Sequence, residues 1–91
     1  MNDKILILRT RRCRKSDVII RFLNEYNIPH IIKYVEDDEE AQKLFRKFKL
    51  KASPGIIING NTVNPYGLIE NCQVKAPQKT KDKFLELLNE T

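Results

Sequence analysis

The chain has 91 residues, with 17 Lys and Arg against 12 Asp and Glu, two cysteines, one histidine and no tryptophan. That length is one domain with one core, so residues 1–91 are read as a single unit, and an active site has to sit at the edge of that core. Two cysteines exclude a disulfide-dense scaffold and a four-thiolate zinc site, and no apolar run is long enough to span a membrane.

Met1–Lys4 is polar, and the apolar run after it is too short for a signal peptide, which sets the expectation of a cytoplasmic protein. Lys4–Arg9 reads as a central strand buried on both faces. After a basic turn, Ser16-Asp17 offers capping chemistry. Ile19, Phe22, Leu23 and Tyr26 then recur at helical spacing, predicting a helix over residues 15–26 that Asn27-Ile28-Pro29 ends. Residues 30–35 read as a second strand, rich in β-branched side chains. The acidic run Glu36–Glu40 opens a second helix as a solvated start, with Ala41, Leu44, Phe45 and Phe48 on its buried face. Ile56–Val63 reads as a hairpin turned at Asn59-Gly60, a pair that tolerates positive φ at both positions. An extra loop follows, and then a last helix capped at Thr80, with Phe84, Leu85, Leu87 and Leu88 in register and Pro77 upstream of its start. The order is β-α-β-α-β-β-α. A helix between the first two strands makes them parallel, so the sheet is mixed.

Charge is unevenly spread. Residues 1–35 carry eight positive and three negative side chains, the next five residues are all acidic, and residues 41–91 carry nine positive and four negative. Five of the seven residues from Arg9 to Lys15 are cations, and Cys13 lies among them. A thiol there, between a strand and a helix N-terminus, is placed for a lowered pKa, because the thiolate meets both cations and unsatisfied N–H groups. Arg12, Arg14 and Lys15 are the side chains expected to stabilise that thiolate or to orient an anionic substrate.

Four stretches now line up: Cys13-Arg14-Lys15-Ser16 after the first strand, Asn27-Ile28-Pro29-His30 before the second, the acidic start of the second helix, and Ala52-Ser53-Pro54-Gly55-Ile56-Ile57-Ile58-Asn59-Gly60 leading into the hairpin. In this combination the chain resembles the glutaredoxin branch of the thioredoxin-like proteins over residues 4–64. The resemblance implies an α/β fold of thioredoxin-like type, a four-stranded mixed sheet with helices on both faces. It implies thiol–disulfide exchange with Cys13 as nucleophile, Ser16 standing where a resolving cysteine would be, and Ser53 and a cis Pro54 forming the opposing wall. A disulfide-containing protein or glutathione is the implied partner, with glutathione as co-substrate rather than bound cofactor. The family's glutathione-holding segment after the fourth strand is replaced here by Asn64–Cys72.

The same residues admit other readings. Cys72, near Leu68 and Ile69, reads first as a small buried hydrophobe and second as a resolving partner for Cys13. The basic turn suits nucleic acid poorly, since the aromatic residues fall mostly at core positions rather than beside the cations. His30 has no ligand partner nearby in sequence, and no metal site is suggested. The alternatives to an enzyme are a non-catalytic thioredoxin-fold adaptor and, further off, an iron–sulfur cluster carrier, which the bulky Arg14-Lys15 disfavours. A monomer is expected.

Overall fold

The apolar run near the start of the chain becomes the strand on which the rest is built. The computed structural model describes residues 5–50 and 53–89. The expected strand start at Lys4, the polar Met1–Lys4 segment and Ala52 lie outside the described residues. Strand β1 (Ile5–Arg9) pairs in parallel with β2 (Ile31–Tyr34), Leu6 opposite Ile31 and Arg9 opposite Tyr34. On its other side it pairs antiparallel with β3 (Gly55–Ile58), which in turn pairs with β4 (Asn61–Val63). The result is a mixed four-stranded sheet in the order β2-β1-β3-β4. Asn59 and Gly60 turn the hairpin with φ of 51° and 84°, as a two-residue turn matched to strand twist requires.

Strand alternation divides the core between two faces. Ile5, Ile7, Ile56 and Ile58 face α1 (Arg14–Glu25) through Ile19, Phe22 and Leu23, and α3 (Pro77–Leu88) through Phe84. Phe84 is wholly buried and meets Phe22 edge to face, ring centroids 5.8 Å apart. Leu8 and Ile57 point the other way, onto Ala41 of α2 (Glu39–Lys47), flanked by Leu44, Phe45, Phe48 and Leu50. Gly55 is needed here: a Cβ on it would stand 2.5 Å from Leu50 Cδ1 and 3.2 Å from Phe45.

Helix ends show where local chemistry was readable and where it was not. Helix α1 stops in a left-handed Asn27 (φ 55°), with the Ile28 N–H donating to the Leu23 carbonyl at 2.8 Å and the Asn27 N–H to that of Asn24 at 3.2 Å. Helix α2 ends the same way around Lys49 (φ 55°). Asp38 caps α2, its carboxylate accepting from the Glu40 and Ala41 N–H groups at 2.9 and 3.2 Å. Helix α3 starts three residues before the expected Thr80 cap. Pro77 is its first residue, where a ring-fixed φ suits the helix and no N–H is missed. Thr80 is buried in the first turn, its hydroxyl donating to the Lys75 carbonyl at 2.9 Å.

The expected loop after β4 is ordered. A 3-10 turn (Pro65–Gly67) leads to a small hairpin of β5 (Ile69–Glu70) and β6 (Gln73–Val74), turned at Asn71 and Cys72 with φ of 53° and 61°. Buried Leu68, with Ile69 and Val74, joins it to the core on the α1 side. No helix among the described residues is long and apolar enough to cross a membrane.

Candidate functional site

The site forms where β1 hands over to α1. Arg9, the last residue of the strand, is 5% exposed, and its guanidinium organises the turn that follows. Nε donates to the Thr10 carbonyl and Nη2 to that of Arg11, both at 2.9 Å; Nη2 also reaches the Cys13 carbonyl at 3.5 Å, and Nη1 pairs with Asp17 at 2.6 Å. One buried cation thus ties together the strand end, three turn carbonyls and the first helical turn. The planar five-donor fork of arginine suits such a task, which a single ammonium could not perform.

Cys13 is the N-cap residue of α1, with extended backbone (φ −120°, ψ 107°) and a half-buried side chain. Ser16 and Ser53 stand beside it. Ser16, three residues into the helix, is fully buried, and its hydroxyl lies 3.1 Å from that of Ser53. Ser53 Oγ in turn accepts the Thr10 N–H at 3.1 Å, and the bond from Ser53 to Pro54 is cis. The order Thr10 N–H, Ser53 hydroxyl, Ser16 hydroxyl forms a relay that can end on the sulfur, each hydroxyl accepting from one side and donating to the other.

Burial pushes the Cys13 thiol up and is the largest single influence on it. Hydrogen bonding from the Ser16–Ser53 hydroxyl pair, which keeps one proton for the sulfur, and from the backbone N–H groups of Ser16 and Lys15 together outweighs it, so the pKa lies below that of an ordinary thiol. The thiol closes no N-cap hydrogen bond of full geometry. These donors therefore tighten on the sulfur as it ionises, since hydrogen bonds to an anion are shorter and stronger.

None of the cationic side chains is among the causes of that lowering. The downward pull comes from hydrogen-bond donors, and Lys15 contributes its N–H rather than its ammonium. Arg9 is committed to the turn and Asp17. Arg11 ion-pairs with Asp37, and its N–H donates to the Glu36 carboxylate at 3.0 and 3.2 Å. Arg12 and Arg14 are exposed, as is Lys15, whose ammonium lies 4.6 Å from the centroid of the Tyr66 ring. The acidic run is correspondingly more than a solvated helix start: its first two residues hold Arg11, Asp38 is the cap, and Asp38 and Glu40 both face Lys33.

Pro54 is fully buried at the head of β3. Beside it, a groove of about 320 Å³ runs between the end of α2 and the segment after β4, lined among others by Phe48, Leu50, Val63 and Tyr66. Cys72 belongs elsewhere. It is exposed at the tip of the β5–β6 hairpin, which corrects its reading as a buried hydrophobe, because the turn points both central residues outward. It lines a second groove with Val18, Arg21, Phe22 and Glu25 of α1. Both thiols are free.

His30 donates from Nδ1 to the Ile28 carbonyl at 2.9 Å, a structural role. Among the described residues no three His, Cys, Asp or Glu side chains could jointly hold a metal ion. Two side chains the sequence did not single out matter here. Arg9 was counted only as charge, although an arginine closing an apolar strand eight residues before Asp17 was a usable signal. The aromatic residues were expected mostly at core positions, yet Tyr66 is 52% exposed beside Lys15, and Tyr34 at 39% lies beneath Arg9 and Arg11. Exposed rings next to cations are therefore present after all.

No protein-family model and no curated protein matches this sequence. Among solved structures the chain is similar to the C. albicans actin-interacting protein Aip5, with a TM-score of 0.65 at 20% identity over 96% of this chain and 89% of that one. At that identity the likeness concerns the fold alone, a small α/β domain built on a mixed sheet.

Proposed function

We propose that this is a thioredoxin-like domain of glutaredoxin type that carries out thiol–disulfide exchange through Cys13. The observation that carries the reading is the setting of Cys13: a thiol at the N-cap of α1, beside the hydrogen-bonded Ser16–Ser53 hydroxyl pair and the cis Pro54, with its pKa lowered. A thiolate is the attacking species, and a helix N-terminus is where one is held. The strand order and the positions of Ser53 and Pro54 opposite the thiol agree with it.

In the proposed cycle Cys13 Sγ attacks one sulfur of a disulfide. A sulfur–sulfur bond forms to Cys13, the original one breaks, and the departing thiolate takes a proton from solvent. A second thiol, such as glutathione, then attacks the mixed disulfide as its thiolate at the sulfur bonded to Cys13. Cys13 leaves as thiolate, the transferred group is left in a disulfide with the second thiol, and a further thiol of the same class attacks that disulfide to free the group and complete an oxidised pair. Ser16 cannot form a disulfide, and Cys72 sits in a different groove, so both reducing equivalents come from outside the chain. The Ser16–Ser53 pair raises the thiolate fraction of Cys13 for the first step and stabilises it as the leaving thiolate of the second.

The test is reduction of a small disulfide with and without glutathione, in wild type, Cys13→Ser and Cys72→Ser. Activity is expected to disappear in the first variant and persist in the second. Equal rates in all three would overturn the proposal. A second reading, a protein-binding adaptor without chemistry, draws on the groove beside Pro54; it predicts binding that survives Cys13→Ser.

A further inference from the structure

We infer that the groove beside Pro54 receives an extended acidic segment of a protein, with an apolar side chain seated between carboxylates, and that this segment carries the disulfide presented to Cys13. The inference rests on the exchange reading above for its last clause. Its first clause stands on the groove alone.

The floor of the groove is apolar: Leu50, Pro54, Val63 and Pro65 line it, with aromatic walls of Phe48 and Tyr66. Each wall carries a lysine. The Lys15 ammonium is 4.6 Å from the Tyr66 centroid and that of Lys47 is 5.6 Å from the Phe48 centroid, while Lys49 is itself in the lining. No acidic side chain lines the groove, and among the described residues none of these three ammonium groups is in an ion pair. The contrast with the other side of the turn is clear, because there Arg9, Arg11 and Lys33 are each matched to carboxylates. Cations held over aromatic faces around an apolar trough complement an anionic segment with an apolar anchor.

Position links the groove to the thiol. Pro54 in the floor follows Ser53, whose hydroxyl bonds that of Ser16 in the first turn after Cys13, and Lys15, which meets the Tyr66 ring of the groove, is two residues from Cys13. β4, whose Thr62 and Val63 line one side, is the outer strand of the sheet, so an extended chain can lie along it.

The test uses the full chain as Cys13→Ser, so that binding is read without exchange. Three peptides of equal length, each with a central Phe, carry Glu, Gln or Lys at the flanking positions, and binding is followed by backbone NMR shifts. The Glu peptide is expected to bind most tightly, with shifts at Phe48, Leu50, Thr62, Val63 and Tyr66, and to weaken with salt. Lys49→Glu is expected to lower its affinity about tenfold, with Lys49→Gln in between. Equal binding of the three peptides, shifts on another face, or tighter occupation of the same groove by a single-stranded oligonucleotide would overturn the inference. The wild-type chain is then given disulfide forms of the same peptides. Charge-dependent binding without any exchange would leave the docking surface standing and remove the redox reading; exchange at equal rates for all three charges would do the reverse.

Discussion

Replacing Arg9 with Met keeps an unbranched apolar stem and removes the guanidinium that organises the Cys13 turn. The bond to Asp17 accounts for little of the cost, because that carboxylate is 59% exposed and returns to water, and exposed pairs are worth about 0–1 kcal/mol. The carbonyls of Thr10 and Arg11 lose full-strength bonds to a buried charged donor, worth about 1.5–3 kcal/mol each before rehydration, and that of Cys13 loses a longer one. With partial recovery of water, the expected loss is about 2–4 kcal/mol, a large share of the ~5–13 kcal/mol available to a chain of this size. Urea unfolding reads that loss, and the alkylation rate of Cys13 at neutral pH, with exposed Cys72 as internal reference, reads the state of the turn. Arg9→Lys is expected to fall between wild type and Arg9→Met, since one ammonium cannot reach Asp17 and the turn carbonyls together. A change below about 0.5 kcal/mol in Arg9→Met, with Cys13 alkylation unaltered, would refute the reasoning, because that is the size of an ordinary surface charge.

Further outcomes follow from the same geometry. The folded protein holds the Cys13 pKa below that of the unfolded thiol, so ionisation adds stability that is fully present above the ordinary thiol value of about 8.5 and is lost as pH falls through the folded pKa. Denaturation midpoints of wild type relative to Cys13→Ala should rise across that window, and a flat difference would contradict the lowered pKa. Cys72→Gly relieves a left-handed non-glycine residue in a turn that favours Asn-Gly, and should stabilise the fold by about 0.5–1 kcal/mol without altering Cys13 alkylation. Thermal unfolding checks it, and a loss of stability would mean the Cys72 side chain is held by contacts that outweigh the strain.

The sheet and its two-faced core were legible because strand period and helix period are written directly in the apolar residues, as at Ile5–Leu8 and at Ile19, Phe22 and Leu23. The hairpin was legible because Asn59-Gly60 has a local conformational meaning. Charge counted along the chain does not say where each side chain goes. Arg9, Arg11 and Lys15 are close in sequence to Cys13, but their side chains leave for Asp17, Asp37 and Tyr66, and the hydroxyls beside the thiol come from residues 37 apart in sequence that the fold brings together. The start of α3 was misplaced because Thr80 looks like a cap, whereas Pro77 is equally suited to open a helix. Cys72 was misread because burial was inferred from apolar neighbours, and a left-handed turn faces it outward.

The central claim is that Cys13 is kept reactive by the Ser16–Ser53 pair. Its most direct measurement is the alkylation rate of Cys13 against pH in wild type, Ser16→Ala and Ser53→Ala, with Cys72→Ser in each background so that one thiol reports. Wild type should ionise below the ordinary thiol range, and both serine variants should move up towards it. A wild-type midpoint at the ordinary value near 8.5, unmoved by either substitution, would contradict the account.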